Sequence, residues 1–223
     1  MIQHITIEID KNSLKRSPTL FFFILRNLIK YTINYGTIVL IILLELILGA
    51  LCSDMVLSIS FLFFAIYILI ALEETYHVIM IIFLGKQETI THIDITQVKI
   101  GPMNFIGGVC VCYNGMFRKS DLFYISLAGP IMPLFYLCIL NILFLVINTY
   151  SSINILPILK SLTCSMCAPL LALLPLKTQN YASDGYRILH FIKTNTLSIK
   201  QTIQAITYTI KIMFFTTVHS SKI

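Results

Sequence analysis

Three residues that could bind a cation lie inside the apolar stretch ALEETYHVIM at 71–80: Glu73, Glu74 and His77. Ionisable side chains are costly in such a stretch and usually mark a functional site. On a helix, Glu73 and His77 are four residues apart and share a face, and Glu74 flanks that face. The spacing is that of the H-E-x-x-H helix, whose outer residues bind zinc and whose inner glutamate is the general base. We therefore predict a metal site with Glu73 in place of the first histidine and Glu74 as the base.

The composition predicts an integral membrane protein. Of 223 residues, 57% are hydrophobic and 12% are charged, and the mean hydropathy is +0.86. Soluble domains have about 45–50% apolar and about 25% charged residues. The net charge of +6 comes from basic residues spread over several loops, which is typical of membrane topology signals and not of a nucleic-acid-binding surface. We predict that the chain contacts a lipid bilayer and no nucleic acid.

The hydrophobic pattern predicts an all-α polytopic membrane protein with four to six transmembrane helices. The alternating ETITHIDITQVKI and the glycine-rich GPMNFIGGVCVCYNG instead predict a short membrane-associated β-hairpin between the second and third spans. We divide the chain into a cytoplasmic head with an interfacial helix (1–36), a core (37–193) and a C-terminal helix (194–223), which is either a fifth span or a surface helix. The predicted elements of the core are the first span (37–52), the metal-motif helix (55–84), the hairpin (88–116), two further spans (122–148 and 153–176) and an Asp-Gly segment (180–193).

The loop charges predict an orientation. Lysines and arginines precede the first predicted span, lie between the second and third, and follow the fourth, whereas the turns after the first and third carry none. By the positive-inside rule, the N-terminus and the active site face the cytoplasm of a cell membrane, which we expect to be bacterial. The stretch SDG, after the fourth span, then comes to a similar depth as the glutamate and histidine motif.

Asp184 of NYASDGYRIL is therefore the candidate third ligand. A catalytic zinc site needs three protein ligands and one open position. Carboxylate oxygen is an acceptable zinc ligand, and a set with two carboxylates is harder than one with two histidines, so it also admits Mn²⁺ or Fe²⁺. We predict Zn²⁺ as the cofactor, with Mn²⁺ or Fe²⁺ as alternatives. Gly185 after Asp184 allows a close approach of the backbone.

Three stretches in order resemble the site-2 protease family of intramembrane metalloproteases over residues 55–193. They are EETYH at 73–77, LAGPIMPL at 127–134 and LLPLKTQNYASDGYRIL at 173–189, similar to the family's H-E-x-x-H, A-G-P and N-L-L-P followed by D-G. The resemblance implies that His77 and Asp184 bind the metal, that Glu73 stands in a ligand's position, and that Glu74 is the general acid and base. It also implies hydrolysis of a membrane-associated or transmembrane peptide, for which we expect maturation of a small secreted or signalling peptide.

The chain departs from the family pattern at three positions. Glu73 replaces histidine, Pro133 stands where the family often has asparagine, and Ser183 precedes the D-G. The first departure bears on the metal and on activity, and the other two bear on how the substrate is positioned.

Several alternatives stay open. The motif could form a structural hydrogen-bonded cluster or an ion path, and the chain could be an inactive membrane protein that binds, transports or gives immunity to a peptide. A cysteine peptidase would need Cys110 or Cys112 to fold back to His77, whereas cysteines in apolar surroundings are usually packing residues. His190 could be a spare ligand.

Overall fold

The structure, a computed structural model, describes residues 2–9, 17–51, 56–150, 162–177, 182–195 and 197–219. These residues are mostly helical and include one antiparallel sheet. The helices are α1 (Ser17–Thr32), α2 (Tyr35–Leu51), α3 (Val56–Phe83), α4 (Lys119–Tyr150), α5 (Cys167–Ala172), α6 (Asp184–Thr194) and α7 (Ile199–His219). The strands are β1 (Ile2–Glu8), β2 (Ile90–Ile100) and β3 (Met103–Tyr113).

The predicted hairpin is confirmed: β2 and β3 pair antiparallel between α3 and α4. The sheet has a third strand that the sequence analysis missed, because β1 pairs with β2 and gives the order β1-β2-β3. The signal for β1 was present in the alternation of HITIE at 4–8, where Ile5 and Ile7 point to one face and pack against the core. The N-terminal residues are therefore part of the same packed body as the metal-motif helix.

Two described helices are long and apolar enough to cross a membrane, Leu62–Phe83 within α3 and Lys119–Tyr150, which is α4. A third span results if the pair Thr19–Thr32 and Tyr35–Leu44, bent by 87°, is counted as one. The described residues thus give two or three candidate spans, against the four to six that the sequence predicted. The predicted helices at 55–84 and 122–148 correspond to α3 and α4, and α7 is not among the candidates.

The predicted fourth span, 153–176, is only partly within the described residues, which resume at 162. The segment that is described is a short apolar helix, Leu162–Ala172, and α5 is its second half. The predicted first span, 37–52, corresponds to α2 as far as Leu51.

The core lies where α1, α3, the first half of α4 and the sheet meet. Helix α1 is amphipathic: Leu20, Ile24 and Leu28 recur every fourth residue and are buried in one cluster with Ala71 and Val78 of α3. The same cluster holds Ile93, Ile95 and Val111 from the inner face of the sheet. This packing fixes the sheet against α3 at the level of the glutamate and histidine motif.

Candidate functional site

Helix α3 and the first residue of α6 bring together the predicted ligands. The Nε2 atom of His77 lies 3.2 Å from Oδ2 of Asp184. One ligand atom each from Glu73, His77 and Asp184 lie within 4.8 Å of one another. Ligands of a tetrahedral cation with bonds of about 2.0–2.2 Å are separated by about 3.3–3.6 Å, so side-chain movements of about 1 Å suffice to close the group. Asp184 lies 107 residues after His77 and 111 residues after Glu73 in the sequence. The fold thus brings the three residues together as one candidate metal centre.

The His77 ring is oriented by a backbone carbonyl. Its Nδ1 lies 2.8 Å from the carbonyl oxygen of Ile125 in α4. Because a carbonyl oxygen can only accept, Nδ1 carries the proton and donates, which leaves Nε2 facing Asp184. Two acceptors 3.2 Å apart need a proton or a cation between them. Metal-binding histidines are commonly held by such a carbonyl, so the arrangement suits a ligand.

Gly129 of the A-G-P stretch lies directly against the His77 ring. A Cβ atom at this position would overlap the imidazole ring of His77, so only glycine lets α4 pass this close to α3. The stretch is therefore a helix-packing surface for the His77 ring. Pro133, one turn on, is buried in α4 and has no side-chain hydrogen-bonding group.

Ser183 holds Asp184 in position. Its hydroxyl is the N-cap of α6, accepting from the backbone N–H of Tyr186 at 3.2 Å, and it also accepts from the N–H of Leu176 at 3.0 Å. The hydroxyl donates to the carbonyl of Leu174. Ser183 is buried and ties the LLPL stretch to the Asp-Gly stretch. The departure from the family pattern at this position is thus a capping residue.

Close packing completes the support of Asp184. A Cβ atom at Gly185 would collide with the backbone of Leu173, so glycine is required where α6 starts against the end of α5. Further along α6, Phe191 stacks on Phe123 of α4 with ring centroids 4.6 Å apart. Helix α6 is thereby fixed at both ends of its inner face.

Glu74 is buried beside the candidate ligand group and is held by the sheet. Its Oε2 accepts the backbone N–H of Val111 at 3.0 Å. Since β3 is an edge strand of the sheet, that N–H points away from β2 and toward α3. A small, partly open cleft lies along this edge. It is lined by Glu74, His77, Val109, Cys110, Val111, Tyr113, Ile125, Ala182, Asp184 and Arg187.

Arg187 is a cleft residue that the sequence analysis did not single out. It lies three residues after Asp184 on α6, so both side chains reach the same side of the helix. Burial raises the pKa of Tyr113, and the guanidinium of Arg187 beside it partly offsets that effect. The signal was available in the i, i+3 spacing. His190, by contrast, is exposed, stacks on Tyr186 and does not line the cleft.

The cysteine peptidase alternative is disfavoured by the geometry. Cys110 does line the cleft, but both ring nitrogens of His77 are engaged, one by Ile125 and one by Asp184. Although the side chain is accessible through the cleft, burial among protein atoms and the nearby carboxylate of Glu74 raise the pKa of the Cys110 thiol to about 12. A thiol with such a pKa is not an activated nucleophile.

Comparisons of this chain with protein-family models, with curated proteins and with solved structures find no match in any of the three. The resemblance to site-2 proteases therefore stays a prediction from motifs.

Proposed function

We propose that this chain is a membrane-embedded metalloendopeptidase of the site-2 protease type. The observation that supports the proposal best is the convergence of Glu73, His77 and Asp184 within 4.8 Å, next to a buried glutamate held by a strand edge. A structural hydrogen-bonded cluster would need neither an oriented imidazole nor a separate carboxylate beside an open cleft. This combination is the one that metal-assisted hydrolysis requires.

The donor set fits a divalent cation. Two carboxylates and one imidazole leave at least one position for water or substrate. We propose Zn²⁺ as the resident metal, with Mn²⁺ or Fe²⁺ as alternatives that the carboxylates would tolerate. When bound, such an ion acts as a Lewis acid that acidifies a water molecule and polarises the scissile carbonyl.

Glu74 performs the proton transfers. Val111 holds one of its oxygens, which leaves the other free to take the proton of the attacking water. The same carboxyl then delivers that proton to the leaving nitrogen as the peptide bond breaks. Glu74 is 6% exposed, and a carboxylate held in one position is suited to directed proton transfer.

The edge of β3 positions the substrate. An extended peptide can add to this edge through main-chain hydrogen bonds, with its scissile carbonyl over the metal-ligating residues. Val109 and Tyr113 line the cleft on either side of Val111, and Arg187 offers a cation to a substrate carbonyl or carboxylate. A transmembrane helix must unwind to bind in this way, since its own hydrogen bonds otherwise occupy its carbonyl groups.

Exposed apolar side chains support a membrane location. The second half of α4 and much of α2 present large apolar groups to the outside, among them Leu143, Leu145, Ile42 and Leu46. Soluble proteins rarely expose apolar surface of this extent. We propose a multi-pass protein of a cell membrane, its cleft toward the cytoplasm by the positive-inside rule, and a small secreted or signalling peptide as substrate.

The test uses the full chain purified in detergent. Bound metal is measured by elemental mass spectrometry, and cleavage by mass spectrometry of a library of synthetic apolar peptides. We expect about one zinc per chain that Asp184→Ala removes, and new peptide termini that a chelator suppresses. Absence of any divalent metal after dialysis against zinc, or a zinc content that Asp184→Ala leaves unchanged, would overturn the proposal.

Glu73 supports a second candidate, an inactive membrane protein that binds a peptide without cutting it. The same peptide library separates the two functions through Glu73→His, which restores the ordinary H-E-x-x-H pattern. If the wild type binds zinc but cleaves nothing and Glu73→His cleaves, the natural chain is the binding protein. If the wild type cleaves, this second candidate is excluded.

A further inference from the structure

The outer face of the sheet carries a second set of metal-binding side chains. Strand register places Glu8 of β1, His92 of β2 and Cys112 of β3 in one row across the sheet. The next row holds Thr6, Asp94 and Cys110. The core residues of these strands point to the opposite face, so this face is the polar one.

Three of these residues have the spacing of ligands around one ion. Nε2 of His92 lies 3.5 Å from Oδ1 of Asp94, and Sγ of Cys112 lies 3.5 Å from Oδ2 of Asp94. One ligand atom from each residue falls within 4.8 Å of the others. Tetrahedral zinc with bonds of about 2.0–2.3 Å separates its ligands by about 3.3–3.6 Å.

The three residues are fixed before any ion arrives. His92 and Cys112 are cross-strand partners, and the hydroxyl of Thr6 donates to Oδ1 of Asp94 at 2.9 Å. All three ligands are half-buried, which leaves the site reachable from solvent and partly shielded. Supporting hydrogen bonds of this kind orient the ligands of protein metal sites.

We propose that His92, Asp94 and Cys112 bind a zinc ion that clips β2 to β3. Imidazole, carboxylate and thiolate together select zinc over Mg²⁺ and Ca²⁺, which prefer oxygen ligands alone. Binding transfers the thiol proton of Cys112 to solvent. Water fills the fourth position, or Glu8 does, since it lies opposite His92 on β1. The zinc clip would fix β3, and the backbone N–H of Val111 at the free edge of β3 donates to Glu74.

Cobalt(II) separates this site from the cleft. A thiolate ligand gives cobalt an intense near-ultraviolet charge-transfer band, and the cleft group of Glu73, His77 and Asp184 contains no sulfur. The full chain in detergent, reduced and freed of metal, is titrated with cobalt in a background where Cys164 and Cys167 are serine. We expect a band that saturates by about two equivalents, because the cleft group also takes cobalt without adding to the band, and that disappears when zinc is added.

Single-residue variants show which side chains give the cobalt charge-transfer band. Cys112→Ser abolishes it, His92→Ala weakens cobalt binding by at least about 10²-fold, beyond the 10–100-fold loss typical of supporting partners, and Cys110→Ser, the matched control two residues away, keeps it. No band in the parent protein at saturating cobalt would overturn the proposal, whether or not any variant folds. A band that survives in Cys112→Ser would also overturn it. Neither result bears on the zinc content of the cleft, so the two proposals fail separately.

Discussion

The cleft cluster of Glu73, His77 and Asp184 and the sheet cluster of His92, Asp94 and Cys112 are built from similar side chains in different settings. The cleft cluster joins two helices far apart in sequence, and it adjoins Glu74 and an open groove. The sheet cluster joins two adjacent strands of one hairpin and has a thiol where the cleft has a second carboxylate.

The difference separates what each cluster can do. A buried carboxylate beside a metal can move protons for a substrate in the groove, so the cleft has the parts of a catalytic centre. Beside the sheet cluster, the neighbouring carboxylate among the described residues is that of Glu8, which is exposed and not buried as Glu74 is, and the thiolate would reduce the Lewis acidity of the ion. It suits a structural clip. Similar ligand sets therefore predict different functions, because their surroundings differ.

Replacing the base should have the largest effect. Glu74→Gln keeps the shape of the side chain and can still accept from Val111, but it cannot take a proton. We expect the cleavage rate to fall by about 10²–10⁴, with cleft zinc retained by elemental analysis. Cleavage at the wild-type rate would show that the cleft cluster is no more catalytic than the sheet cluster.

Removing the aspartate of one cluster should weaken metal binding at that cluster and leave the other cluster unchanged. Asp184→Ala removes a direct ligand, so we expect cleft zinc affinity to fall by at least about 10²-fold, beyond the 10–100-fold typical of supporting partners. The cobalt–thiolate band should survive, whereas Asp94→Ala should lose the band and keep the cleft zinc. Competition with a calibrated chelator measures the metal affinity of the cleft cluster and of the sheet cluster. Equal losses in both variants would mean that the two clusters are not independent sites.

Two glycines, Gly129 of α4 and Gly108 of β3, test how tightly the backbone packs at the cleft and in the sheet. A Cβ atom at Gly129 would strike the His77 ring, whereas a Cβ atom at Gly108 on β3 would meet nothing within 4 Å. We expect Gly129→Ala to lower the free energy of unfolding by about 1–3 kcal/mol and to displace the ring. Gly108→Ala should stay within about 0.5 kcal/mol. Chemical denaturation in detergent, with zinc content measured alongside, checks both; equal stability of the two variants would contradict the close approach of α4 to α3.

The smallest expected effect concerns the cap that holds Asp184. Ser183→Ala removes the N-cap of α6. We expect the free energy of unfolding to fall by about 1–2 kcal/mol and cleft zinc binding to weaken several-fold. The control is Ser198→Ala, which removes a hydroxyl that accepts from the N–H of Gln201 at the start of α7, away from the cleft. We expect a comparable loss of helix stability there with unchanged zinc affinity. A loss of zinc affinity in both variants would mean that Ser183 acts through general stability and not by positioning Asp184.

The strongest periodic signals predicted their elements well. Long apolar runs predicted α3 and α4, and alternation with glycine breaks predicted the hairpin, because these patterns act over many residues. The alternation in HITIE was equally regular but only five residues long, so the N-terminal strand was missed. The described residues give two or three spans against the predicted four to six, and part of the predicted fourth span lies outside them. The 87° bend between α1 and α2 decides whether these two helices form one span, and hydropathy does not encode such a bend.

The sequence by itself determined which side chains could do chemistry and that Glu73, Glu74 and His77 share one helix, since helical spacing follows from local geometry. Only the tertiary structure decided that Asp184 lies 3.2 Å from His77, that Ile125 orients the ring, and that Val111 holds Glu74. These contacts join residues from 37 to 107 positions apart, and they depend on how closely α3, α4, α6 and the sheet pack. Gly129 and Gly185 permit that closeness, but a glycine in a sequence does not reveal which group will occupy the space it leaves.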